Sequence, residues 1–167
     1  MKKLIVLLIM LLPLGVFAQE AKIAIVNANE IFELMPELAG AETQIASLSE
    51  QYQKHLQDMQ DEYKVKYEEY MKLQDTLAEN LKLRRQQELQ DLENRMQNLY
   101  ASAQQDIEQK RSEVLAPIQE KLQKAIEEVG KEQGYSIILN RIDQVLLYVG
   151  NSAIDATPLV KAKLGLR

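Results

Sequence analysis

The chain has no cysteine and a single histidine in 167 residues. Without cysteine there is no disulfide framework, so packing alone must hold the fold. A lipid anchor on a cysteine is excluded as well. The lone His55 has no candidate nucleophile or glycine-rich elbow beside it, which leaves a hydrolase triad nothing to be built from. Glycine is scarce: none occurs between residues 41 and 129, so no glycine-rich loop in that tract can cradle a phosphate. Pro117 is its only proline. The formal net charge of −5 argues against nucleic acid as a partner and against general attraction to an anionic membrane surface.

Long apolar runs are also missing, except at the very start. Met1-Lys2-Lys3 forms a short positive region, residues 4–16 are apolar, and Val16-Phe17-Ala18 puts small residues at −3 and −1. This pattern predicts a signal peptide over 1–18, cut after Ala18. An uncleaved N-terminal anchor is the rival reading. Cleavage removes Lys2 and Lys3 and takes the formal charge from −5 to −7. No later run is long enough to span a bilayer.

What is present is helix-forming material. Gln, Glu, Lys and Leu dominate the middle, the composition of long helices rather than of a compact enzyme. Ile45, Leu48, Tyr52, Leu56, Met59, Tyr63, Tyr67 and Tyr70 follow steps of three and four that repeat every eleven residues, predicting a nearly straight stripe. A second stripe runs from Leu89 through Leu92, Met96, Leu99, Ala103, Ile107, Val114, Ile118, Leu122 and Ile126 to Val129, broken only at Lys110. Two amphipathic helices with one apolar face each bury those faces by packing as an antiparallel hairpin.

Thr76-Leu77-Ala78-Glu79 has the form of a capping box. It places the tip near 74–76 and the start of the second helix at Leu77. Asn27-Ala28-Asn29-Glu30 is a similar box for the first helix, which Pro36 should interrupt. Pro117 should kink the returning helix. The outgoing arm, 37–74, would be roughly 55–60 Å long. Gly130 or Gly134 supplies the C-terminal cap of the returning helix.

Three stretches read as strands: KIAIVN at 22–27, YSIILN at 135–140 and VLLYVG at 145–150. The last two are expected to form a hairpin through residues 141–144, with the first strand pairing onto one of them. Asp155-Ala156-Thr157-Pro158 then caps a short final helix. The expected fold is mostly α, a long helical hairpin (36–133) projecting from a small three-stranded end domain (19–35 and 134–167). That end domain is too small for a robust core of its own, which implies oligomerisation.

The order of these parts (signal peptide, K-I-A-I-V-N, Gln/Glu/Lys-rich hairpin, I-I-L-N and a final D-x-T-x-x-V at Asp155, Thr157 and Val160) resembles the Skp/OmpH family of periplasmic chaperones over the whole mature chain. The resemblance implies a homotrimer whose hairpins hang as tentacles around a cavity. There they would hold unfolded outer-membrane proteins without ATP, enzymatic activity or a cofactor. One departure concerns charge. The best-known members are basic, whereas residues 37–80 here carry ten acidic and four basic side chains, and 81–133 carry ten and nine. Lipopolysaccharide binding is therefore not carried over. The rival class is an exported coiled-coil spacer or adaptor of the cell envelope.

For client contact the candidates are Met59, Tyr63, Tyr67, Tyr70, Met71 and Met96, since methionine and tyrosine give adaptable apolar contacts. The plainer reading is that the tyrosines, Tyr52 included, fill the seam with their hydroxyls at its edge. Lys82, Arg84 and Arg85 could contact anionic groups or acidic clients, or simply form a solvated helix face. Acidic pairs such as Asp61-Glu62 and Glu68-Glu69 read as solvated faces rather than metal ligands. Ile23, Ile25, Val26, Ile137, Ile138, Leu139, Leu146 and Leu147 are expected in the core or a subunit interface.

Overall fold

A computed structural model of the protein describes residues 21–142 and 145–166. The signal-peptide reading at 1–18 and part of the expected 141–144 connection lie outside the described residues. The described chain runs β1 (Ile23–Val26), α1 (Ala28–Glu33), α2 (Pro36–Leu73), α3 (Glu79–Gln133), β2 (Ile137–Asn140), β3 (Ile154–Asp155) and α4 (Thr157–Lys163).

Parallel strands need a long crossover between them, and here the helical arm is that crossover. It returns the chain so that β2 pairs parallel with β1, Ile23 opposite Ile137 and Val26 opposite Asn140. The sheet order is β2-β1-β3. The expected hairpin of 135–140 with 145–150 is corrected. Residues 145–150 form no strand, and the third strand is Ile154–Asp155, which pairs parallel with β1 on its other side. Two apolar β-type runs four residues apart resemble a hairpin in sequence, but β1 offers both its edges, and the ladder forms there instead.

Side chains at successive strand positions face opposite sides. Val26 and Ile138 join the helix-side core with Ile31, Met35, Ala41, Ile118, Leu122, Val129 and Val160. Ile23, Ile25, Ile137 and Leu139 lie on the other side, where Ile25 is buried and the other three are 40–52 % exposed. Leu146 is half-buried, and Leu147 is 91 % exposed, so in the single chain Leu147 is not core. Two glycines have stated roles. Gly134 closes α3 in the left-handed conformation at φ 65°, and a Cβ on Gly130 would stand 3.3 Å from Ile138 Cδ1.

At about 1.5 Å per residue, the 38 residues of α2 span about 57 Å and the 55 of α3 about 82 Å. Pro36 starts α2 at its first turn, where a missing N–H is harmless, and α3 continues unbroken through Pro117. The Asn27 cap forms, but only half of the box: its Oδ1 accepts from Glu30 N at 3.2 Å. Glu30 Oε2 accepts from the Asn27 side-chain amide at 3.1 Å, and the Asn27 backbone N–H goes to Thr157 instead. The Thr76 box does not form. Its hydroxyl donates back to the Leu73 carbonyl at 2.9 Å, which also accepts from Thr76 N and Leu77 N where α2 ends. The second helix starts at Glu79 with Ala78 as an uncapped first residue.

Candidate functional site

The arm is a seam of two stripes. On α3 the seam positions are those the spacing predicts: Leu89, Leu92, Ala103, Ile118, Leu122 and Val129 are buried, with Met96, Leu99, Ile107 and Val114 half-buried. Lys110 sits half-buried in the stripe, and its ammonium reaches Glu113 at 3.6 Å, an apolar stem with a wet head. On α2 the stripe holds from Ala41 through Ile45, Leu48, Tyr52, Leu56 and Met59 to Tyr63. Beyond it, Lys66 takes the half-buried position, and Tyr67, 45 % exposed, turns outward.

Three tyrosines close the seam with their hydroxyls. Tyr52 donates to Asp106, Tyr63 donates to Glu93 at 2.7 Å, and Tyr70 accepts from Gln86 at 2.8 Å. Together with the Glu37–Lys121 pair at the base, they keep one antiparallel register from base to tip. The carboxylates at Asp106 and Glu93 disfavour an ionised phenol, so the hydroxyls of Tyr52 and Tyr63 titrate above their ordinary value.

The candidate client residues therefore separate. Met59, Tyr63, Tyr70 and Met96 are half-buried in the seam, and Tyr67 and Met71 are exposed. Tyr67 lies parallel to Tyr63, ring centroids 6.1 Å apart. Spacing did not single out the other exposed apolar side chains toward the tip, Val65, Leu73, Leu81 and Leu83, or Tyr100 farther down the arm. Their signal is an apolar residue standing off the stripe, at a position a solvated helix face would give to a polar one. The basic cluster is tied up locally: Lys82 approaches Glu79 at 3.8 Å, Arg84 approaches Glu88 at 3.4 Å, and Arg85 pairs with Glu88 at 3.1 Å. Apolar grooves open along the arm, among them one of about 610 Å³ at the base against Phe32, Leu38, Ile45 and Leu115 and one of about 530 Å³ midway.

The end domain is stapled by side chains to backbone. The Asp155 carboxylate accepts from Thr157 N at 2.9 Å, and the buried Thr157 hydroxyl accepts from Asn27 N at 2.9 Å. Asn140 Oδ1 accepts from Ala28 N at 3.1 Å. The hydrogen bonds from Thr157, with Arg141 and Lys161 nearby, hold the Asp155 carboxyl below its ordinary value. The D-x-T-x-x-V pattern is thus structural: Asp and Thr tie the last helix to β1, and Val160 is fully buried. Among the described residues, no group of acidic or histidine side chains is placed to hold a metal, and no helix is long and apolar enough to cross a membrane.

None of the curated proteins matches the chain in sequence. Among solved structures it is similar to an OmpH-like outer membrane chaperone from Caulobacter crescentus CB15. The TM-score is 0.72 at 18 % identity, over 86 % of this chain and 83 % of that one, which shows a shared fold. The profile of the family described as outer membrane protein (OmpH-like) matches residues 22–164, nearly all of the described chain. The protein belongs to the OmpH-like outer membrane protein family.

Proposed function

We propose that this protein is a periplasmic holdase chaperone that binds unfolded outer-membrane proteins between helical arms, without ATP and without catalysis. The observation that carries the reading is the arm itself. It displays Val65, Tyr67, Met71, Leu73, Leu81 and Leu83 to solvent near its tip, roughly 60–80 Å from the sheet by the rise of α3. Exposed apolar side chains collected in one region mark interaction surfaces. Many weak contacts of this kind add through high effective concentration without trapping the client. Family membership and the chaperone of similar fold support the same reading.

The working unit is a homo-oligomer, a trimer by the family's pattern. A parallel sheet is normally covered on both faces, yet Ile23, Ile137 and Leu139 are exposed, and so are Val145, Leu147 and Tyr148 in the strand-like stretch that pairs with no strand among the described residues. Neighbouring copies would supply both the cover and the missing strand pairing. Ile138 faces the helices, so Ile137→Asp is the informative variant. Light scattering should show a trimer for the wild type and smaller species for this variant with helicity kept; a wild-type monomer would overturn the assembly. The chaperone reading is tested by mixing stoichiometric protein with an unfolded membrane β-barrel protein. A holdase suppresses aggregation, whereas an envelope spacer or adaptor leaves it unchanged.

A further inference from the structure

Midway along the arm, Leu56 and Gln60 of α2 and Glu93, Met96, Gln97 and Tyr100 of α3 line the open groove of about 530 Å³. Leu56 and Met96 are half-buried, and Tyr100 is 56 % exposed, so the groove has an apolar floor and an available aromatic wall. Glu93 at its rim is a fixed acceptor. Its Oε1 receives the Tyr63 hydroxyl at 2.7 Å and its Oε2 the Gln90 amide at 3.3 Å, which leaves carboxylate lone pairs open.

We infer that this groove takes an aromatic side chain of an unfolded client, tyrosine or tryptophan rather than an aliphatic residue. The inference rests on the holdase reading and names the client feature that the arm selects. Such a ring fits a groove of this size, meets a thioether whose sulfur favours aromatic edges, and can pack against the Tyr100 ring. Its O–H or N–H then faces Glu93, Gln60 or Gln97 as acceptors, which phenylalanine or leucine cannot use. A client carboxylate is repelled by Glu93. A lysine satisfies Glu93 but offers the Met96 and Tyr100 wall only an aliphatic stem. Membrane β-barrel chains supply the ligand, because they carry tyrosine and tryptophan in girdles at both interfaces.

The chain contains no tryptophan, so emission from a client tryptophan reports the client alone. The full-length protein is titrated into an unfolded β-barrel client carrying one girdle tryptophan. Binding should shift its emission to the blue. Replacing the client's girdle aromatics with leucine should weaken affinity about three- to tenfold, the worth of an aromatic contact beyond its buried area. Met96→Ser and Tyr100→Leu should each reverse most of the blue shift. Should Met96→Ser lose helicity, the exposed Tyr100→Leu decides. Equal affinity for the leucine client, tighter binding of a lysine-substituted client, or an unchanged shift in Tyr100→Leu would overturn the inference while leaving the holdase reading intact. Absence of client binding altogether would overturn both.

Discussion

Asp155, Thr157 and Asn27 join the end of the chain to its first strand through two consecutive hydrogen bonds of 2.9 Å, and Thr157 is buried. Removing the Thr157 hydroxyl leaves the Asn27 N–H without its partner. Thr157→Val should lower stability by about 0.5–1.5 kcal/mol, the usual net worth of one hydrogen bond, because the Asn27 donor is only half-buried. Thermal melts or denaturant titration would measure it, and an unchanged midpoint would show that water replaces the hydroxyl freely. The Asp155 carboxyl is held below its ordinary value by the hydrogen bonds from Thr157. A group lowered in the folded state contributes stability above its unfolded value, about 3.9 for aspartate, and loses it as pH falls through the lower folded value. Docking of α4 should therefore be constant from neutral pH down to about 5 and weaken below about 4. Asp155→Asn should flatten that acid limb, and an identical acid profile in the variant would place the titration elsewhere.

Elements that repeat one burial pattern many times were legible in the sequence, and elements made by one or two contacts were not. The two arm stripes persist over several tens of residues, so a single misplaced position barely matters. Tyr67 was misplaced because Lys66 and Tyr67 lie three and four residues beyond Tyr63, and the seam accepts either. The third strand, Ile154–Asp155, has only two residues and carries no periodicity at all. Residues 145–150 do carry strand-type sequence, but a sequence does not say whether the partner lies in the same chain. Thr76 matches a capping pattern, yet its hydroxyl donates back to the Leu73 carbonyl and the next helix starts at Glu79. Of the client-contact candidates, Tyr67 and Met71 are exposed, whereas Tyr100 stands off the stripe and carries no spacing signal. A two-stripe seam buries little per residue, so protection should fall with distance from the sheet. Hydrogen exchange should be slowest at β1 and the base of α3 and fastest around 72–84. Tyr63→Phe should speed exchange locally at Tyr63 and Glu93, with the base unchanged. Equal protection from base to tip would contradict a seam anchored only at one end.

For the whole molecule the decisive property is its sign of charge. The arm over 37–80 has ten acidic and four basic side chains, so an acidic unfolded barrel protein is repelled by most of it. Salt screens that repulsion over a Debye length of about 8 Å at physiological ionic strength. Residues 64–85 form a countercurrent, with six basic and four acidic side chains, but Lys82, Arg84 and Arg85 already face Glu79 and Glu88. On the proposed holdase reading, charge attraction is a small part of the hold and apolar contacts carry it. Affinity for an acidic client should stay flat or rise as salt goes from low to moderate. Met59 is part of the seam, so the informative apolar variant is Tyr67→Ser with Met71→Ser, both exposed. That double variant should weaken binding more than Lys82→Gln, Arg84→Gln and Arg85→Gln combined, with helicity checked for each. The basic-cluster variant leaves Glu79 and Glu88 without their partners, so its smaller loss should shrink further as salt is added. Binding that falls steeply with salt, or that vanishes in the basic-cluster variant alone, would show instead that a positive tip holds the client.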